Sequence, residues 1–203
     1  QGFHSFRLDK YVYGRRPTGF YIPRFANWGN DKRDFLRGFG FQCNASRSDF
    51  SRNADQLGIG ASLKDGLSEP GPWSVSTVGF GEILPDHRNK VTLNHDVRDA
   101  WGLPVLEMDA KIRNNELKMR KAMKEDIVEM FDSIGLKNAT ALESTYHMCK
   151  GIHEMGTARM GRDPKTSVLN KHNQVWDAPN VFVTDGACMT SSSCVNPSLT
   201  YMA

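Results

Sequence analysis

The stretch NNELKMRKAMKEDIVEMFDSIG, Asn114 to Gly135, constrains the fold more than any other part of the chain. Met119, Met123, Ile127, Met130 and Ile134 recur at spacings of four, four, three and four, which draws one apolar stripe down one face of a helix. Asn114 or Asn115 can cap its start and Gly135 can end it. The stripe is expected to pack into a core. The segments ahead of it supply a surface of the right kind. GFYIPRFANW and FLRGFGFQC read as short strands between loops, because clustered Phe and Tyr suit a pleated, half-buried face. VSTVGFGEILP, DHRNK and VTLN read as strand, turn and strand, a hairpin. DQLGIGASLKDGLSEPGPW, punctuated by Gly, Ser and Pro, reads as loop and turn.

A second helix is expected over Ala139 to Cys149. NVFVTDGA, Asn180 to Ala187, reads as a buried strand ending in a turn. NPSLTYMA, Asn196 to Ala203, opens like a helix, with proline at a favourable first position. The chain stops about two turns later without a stop signal, and it begins without a methionine. Both ends therefore read as cuts within a longer polypeptide.

Composition excludes several functions. Net charge is +3 across 203 residues, with the basic residues dispersed, so a nucleic-acid footprint is not expected. No run approaches 18 consecutive apolar residues, and QGFHSFRLDKYVYG lacks the apolar centre of a signal peptide. Cys43, Cys149, Cys188 and Cys194 form no CxxC pair and no zinc spacing with histidine. They are expected as free, mostly buried thiols, with a local Cys188–Cys194 bridge as the alternative.

The familiar motifs fail in turn. GFGFQC (Gly38 to Cys43) and GFGEIL (Gly79 to Leu84) carry GxG without a third glycine and lie outside any βαβ unit, so neither is a phosphate loop. HEMGT lacks the second histidine of a metalloprotease helix, and no GxSxG occurs. His153, Asp185-Gly186 and Asn196-Pro197 are each ordinary taken singly, as a turn histidine, a strand-ending turn and a helix cap.

Taken in order, they are not ordinary. HEMGTARMG, then SVLN, then NVFVTDGACMTSSSCVNPSLTYMA resembles the C-terminal signature of the glucose–methanol–choline (GMC) family of flavin oxidoreductases. The matching residues are His153, Gly156-Thr157, Met160-Gly161, Asp185-Gly186 and Asn196-Pro197. GEILPDHRNKVTLNHDVRDAWGLPVLEMD, Gly81 to Asp109, resembles the same family's substrate-domain sheet. Residues 1–74 resemble its bacterial sugar 3-dehydrogenase and pyranose oxidase-like members.

The resemblance implies an FAD-dependent enzyme that oxidises an alcohol, a sugar or glycoside, by hydride transfer to the flavin. It implies His153 as the base, a role that a near-neutral imidazole suits. It implies Asn196 as the catalytic partner that hydrogen-bonds the substrate oxygen, since an amide cannot take the proton. Asp185, Gly186, Asn196, Pro197 and Ser198 would line the cofactor, with the last helix offering its positive end to the reduced ring. Residues 1–150 would form the substrate-binding domain, of α+β class with a mostly antiparallel sheet and flanking helices. Residues 151–203 would complete a Rossmann-like FAD-binding domain whose N-terminal GxGxxG half lies outside this chain.

Further expectations follow from the resemblance: a separate electron carrier, an inactive fragment that binds FAD poorly, and self-association of the apolar tail. Aromatics of the first 74 residues either stack on a pyranose or are core. Ala158 stands where many family members have cysteine. The rival class is a non-catalytic binding module that keeps the fold without flavin.

Overall fold

A computed structural model describes residues 2–4, 19–47, 59–68, 73–142, 148–149 and 152–203. Four strands make the main sheet: β1 (Gly2–His4), β2 (Gly19–Ile22), β3 (Phe39–Arg47) and β4 (Trp73–Gly81). Their order is β1-β4-β3-β2, antiparallel throughout. Helix α1 (Ala61–Ser68) lies between β3 and β4 in sequence. Strands β5 (Lys90–Arg98) and β6 (Pro104–Asp109) form a separate two-stranded ribbon, and α2 (Asn114–Ser133) follows. A small pair, β7 (Gln174–Val175) and β8 (Ala178–Phe182), precedes a 3-10 turn at Gly186–Cys188 and the closing helix α3 (Ser198–Met202). The architecture is α+β with antiparallel sheets, as the family resemblance implies.

Helix α2 lies where its stripe demands. Met119 and Ile127 are buried, with Phe131, against Phe35, Phe39, Phe41, Cys43 and Ala26; Met123 and Met130 pack at the margin. Ile134, the last residue of the stripe, is exposed, because it is the C-cap. Gly135 ends the helix at φ +76°. Its N–H bonds to Asp132 O, and Leu136 N–H bonds to Phe131 O, the paired arrangement that a left-handed glycine permits. The cap at the start is neither Asn114 nor Asn115 but Arg113, whose N–H donates to Glu116 Oε2 at 3.0 Å.

On the sheet side, Phe39, Phe41 and Cys43 alternate toward the helix. Gly79 and Gly81 of β4 lie beneath Met123 and Met119, where added Cβ atoms would stand 2.9 and 2.4 Å from the two sulfur atoms. The GFG fragment of β4 is thus a packing groove for the methionine stripe. Phe25, Phe39 and Phe41 meet edge-on and stacked at centroid separations of 5.4 to 6.4 Å, so these aromatics of the first 74 residues are core. Phe20, Tyr21 and Trp28 are exposed.

Four expectations are corrected. Strands β4 and β5 are not a hairpin: β4 pairs with β3 along its whole length and with β1 at Trp73–Val75, and β5 pairs with β6. The intervening segment is pinned to the start of α2 instead. Leu84 N–H donates to Glu116 Oε1 (3.1 Å), Arg113 Nε lies 3.3 Å from Asp86 Oδ2, and Lys111 N–H donates to Asn89 Oδ1 (3.0 Å). Second, the region read as loop contains α1, entered through Gly60 at φ +73° and its carbonyl bond to Lys64 N–H. Third, Ala139–Leu142 and Met148–Cys149 are not helical; residues 143–147 between them lie outside the described residues. Fourth, β8 is not buried: Val181 and Phe182 are exposed, since β8 has only the short β7 beside it. All four cysteines are free, Cys43 and Cys188 buried.

Candidate functional site

The loop after β8 and the segment before β7 run side by side. Gly156, Ala158 and Met160 donate their N–H groups to the carbonyls of Gly186, Ala187 and Cys188 at 3.3, 3.0 and 2.9 Å. Asp185 caps the 3-10 turn by accepting from Ala187 N–H at 2.9 Å. Leu169, fully buried, bridges to Met160 and to Val175 and fixes the segment beneath. Trp176 Nε1 donates to Ser167 Oγ at 3.0 Å and closes that small core.

A cavity of about 310 Å³ opens above this framework, lined by His153, Glu154, Thr157, Asp185, Gly186, Ala187, Pro197, Ser198 and Tyr201. Five of the six candidate residues therefore meet on one wall: His153, Asp185, Gly186, Pro197 and Ser198. His153 is exposed and sits at φ +63°, a left-handed conformation that a residue with a Cβ adopts only where the surroundings hold it. Gly186 is required by proximity. A Cβ there would stand 2.8 Å from Met155 Sδ, 2.9 Å from Tyr201 Oη and 3.1 Å from Glu154 O. Tyr201 Oη donates to Met155 Sδ at 3.4 Å. Its pKa is raised, by burial first and then by the charges of Asp185 and Cys188, so the hydroxyl stays protonated and donates.

The sixth candidate, Asn196, is not on that wall. Its Oδ1 accepts from Gln42 Nε2 of β3 at 2.8 Å. Two residues earlier, Cys194 Sγ lies 3.1 Å from where a Cβ of Gly40 would stand. The segment 194–197 thus crosses the face of β3 opposite Phe39, Phe41 and Cys43. In α3, Thr200 and Tyr201 N–H groups bond to Pro197 O.

Sequence reading missed Gln42, Glu154 and Tyr201. Gln42 had one signal, a polar residue alternating with the buried aromatics of β3. Among the described residues, no group of His, Cys, Asp and Glu could hold a metal ion, and no helix is long and apolar enough to cross a membrane.

The lining offers an imidazole, two carboxylates, three hydroxyls and a side-chain-free turn. Its volume is at the lower end of the ~300–1,000 Å³ typical of small-molecule pockets. That donor set and size fit one end of a polar heterocyclic cofactor rather than the whole of a dinucleotide.

Residues 85–203 match the family model for the GMC oxidoreductase C-terminal domain. The chain belongs to the GMC oxidoreductase family. It is 38% identical over 121 residues, 60% of its length, to the 2-methyl-1,2-propanediol dehydrogenase of Mycolicibacterium austroafricanum, of which the match covers 22%. It is 28% identical over 165 residues, 81% of its length, to the fructose dehydrogenase large subunit of Gluconobacter japonicus, of which 30% is covered. It is 26% identical over 134 residues, 63% of its length, to the C-glycoside 3-oxidase of Arthrobacter globiformis, of which 25% is covered. The chain thus spans less than a third of the length of these relatives.

Proposed function

We propose that the full protein carrying this chain is an FAD-dependent oxidoreductase that converts a CH–OH group of a sugar or small alcohol to a carbonyl. One observation carries this reading: residues from three separated segments, His153, Asp185-Gly186 and Pro197-Ser198, line a single cavity. When bound, FAD supplies the acceptor for the hydride that leaves the alcohol carbon. His153 takes the hydroxyl proton as the C–H bond breaks, so the substrate loses two electrons and two hydrogens in all. Asn196 hydrogen-bonds the alcohol oxygen and orients it. Asp185, Gly186, Asn196, Pro197 and Ser198 hold one end of the cofactor.

Residues 1–150 serve as the substrate-binding domain. Residues 151–203 complete a Rossmann-like FAD-binding domain together with chain outside this segment. A carbohydrate or diol substrate is supported by what the relatives' names state, a 1,2-diol, fructose and a C-glycoside. The electrons then pass to a separate carrier, in line with two relatives named as dehydrogenases. Val181, Phe182, Leu199 and Met202 are exposed apolar side chains. The 203-residue chain made alone is inactive, binds FAD weakly and self-associates through them. A monomer in light scattering, or stoichiometric FAD in the purified chain, would refute those points.

The test uses the full-length protein, anaerobic, with 2-methyl-1,2-propanediol, D-fructose and a C-glycoside. One of them should bleach the visible flavin band. A His153→Asn variant, which suits the left-handed backbone but accepts no proton, should slow that bleaching ~10²–10⁴-fold. A colourless protein that takes up no FAD would overturn the reading in favour of a binding module.

A further inference from the structure

We infer that Tyr201 binds the ligand of the cavity: its phenol O–H leaves Met155 Sδ and donates to a hydroxyl oxygen of a neutral polyhydroxy chain seated over the Asp185–Gly186 turn. This rests on the function proposed above. Pro197, which opens α3, and Tyr201 are four residues apart, fall on one helix face and both line the cavity. Leu199 and Met202 of the same helix are exposed. The space that a side chain at Gly186 would fill is taken by Met155 Sδ and Tyr201 Oη, 2.8 and 2.9 Å from the Cβ position. A ligand that approaches the turn from that side meets the phenol rather than bare backbone.

The phenol is held lightly. A thioether is a weak acceptor, and the contact is 3.4 Å long. An oxygen entering the cavity is the better acceptor, and rotation about the phenol C–O bond turns the hydrogen toward it. The charges on the wall decide the kind of oxygen. Burial and the neighbouring Asp185 carboxylate hold the phenol protonated at neutral pH, so it donates. Asp185 Oδ1 accepts from Ala187 N–H at 2.9 Å, which leaves Oδ2 to accept from a ligand. A phosphate would be repelled by the carboxylates of Asp185 and Glu154. A hydroxyl group accepts from Tyr201 and donates to Asp185 at once. Two participants in the proposed reaction carry such groups: the polyhydroxy linker of FAD and a sugar or diol substrate.

The test uses the full-length protein and two substitutions. Tyr201→Phe keeps the ring and removes the hydroxyl; Met155→Leu removes the sulfur and keeps the volume. FAD is titrated into the flavin-free proteins, and Kd is read from flavin fluorescence. KM and kcat are then measured on the FAD-saturated proteins with whichever of the three alcohols above is oxidised fastest. Tyr201→Phe should raise Kd for FAD or KM for the alcohol ~3–10-fold, as the loss of one hydrogen bond requires. A rise in Kd alone assigns the contact to the FAD linker, and a rise in KM alone assigns it to the substrate; either supports the inference. Met155→Leu should leave both constants unchanged.

A purely structural role predicts something else. Each substitution breaks the same Tyr201–Met155 bond, so the two variants would then shift Kd, KM and the thermal midpoint of the flavin-free protein alike. Equal shifts in Kd and KM, or a Tyr201→Phe variant with both constants unchanged, overturn the inference. If the parent protein takes up no FAD and oxidises none of the alcohols, the function proposed above fails instead. If the parent does both and Tyr201→Phe matches it, only the assignment of Tyr201 fails.

Discussion

Gly81→Ala tests the packing of the methionine stripe on β4. The added Cβ would stand 2.4 Å from Met119 Sδ and 2.5 Å from Met123 Cε. Non-bonded atoms of this kind settle at ~3.5–4.0 Å, so the overlap exceeds ~1 Å. Met123 is only half-buried and can swing aside. Met119 is 2% exposed and is enclosed by the aromatic core, so it cannot. Overpacking of this kind costs ~1–3 kcal/mol, reduced by ~0.5–1 kcal/mol because alanine is better than glycine within a strand. The expected net loss is therefore ~0–2.5 kcal/mol, centred near ~1 kcal/mol. Met119→Ala alone should cost ~2–5 kcal/mol through the cavity it leaves. The two changes should not add, because the alanine methyl would enter the space the methionine vacates. The double variant should be more stable than the sum by ~1 kcal/mol or more, against the ~0.5 kcal/mol scatter of independent sites. Urea unfolding of the four proteins, compared at a common m-value, measures the difference. Additivity within that scatter would refute the placement of Met119 over Gly81.

Three other outcomes follow from single sites. Glu116→Ala leaves Leu84 and Arg113 N–H groups without their acceptor in a buried place, and should destabilise by ~2–4 kcal/mol in urea unfolding. Asp86 has its carboxyl held well below the usual range, first by the Arg88 side chain, then by the Arg88 N–H, with Arg113 adding attraction. A depressed folded pKa gives stability that is complete above the unfolded value and is lost as pH falls. Asp86→Asn should therefore lower the unfolding midpoint at neutral pH, and the difference should begin to shrink only below ~pH 4 and narrow steadily as the pH falls well beyond it. Cys43 has its pKa raised by burial, opposed only by its hydrogen bond with Thr77. It should resist iodoacetamide at pH 8 in the native protein and react after denaturation, as mass spectrometry would show.

Helix α2 was legible because its signal is local: five apolar positions on one face, a glycine beyond the end. The existence of β4 and β5 was legible for the same reason. Their pairing was not, since alternation within a strand says nothing about which neighbour occupies its edge; Glu116 and Asp86 decide that here. Helix α1 was hidden because Gly60 and Gly66 read as punctuation, although Gly60 is merely its entry. Strand β8 read as buried because an apolar run does not state what covers it. At the site, His153, Asp185, Gly186, Pro197 and Ser198 came from a motif resemblance, and the cavity gathers them. The contact of Gln42 with Asn196 could not come from a motif, because it is created by a chain crossing rather than by any spacing.

The backbone at His153 has an evolutionary corollary. For the base proposed above, a left-handed φ of +63° would set stability against activity at a single codon. Glycine there would relax the turn and raise stability by ~0.5–1 kcal/mol while deleting the imidazole, and asparagine would sit nearly as easily. Screening a library for thermostability alone should therefore enrich His153→Gly and His153→Asn. Screening for turnover should purge both. The position would then behave as a marker of purifying selection for chemistry, with opposite winners under the two regimes.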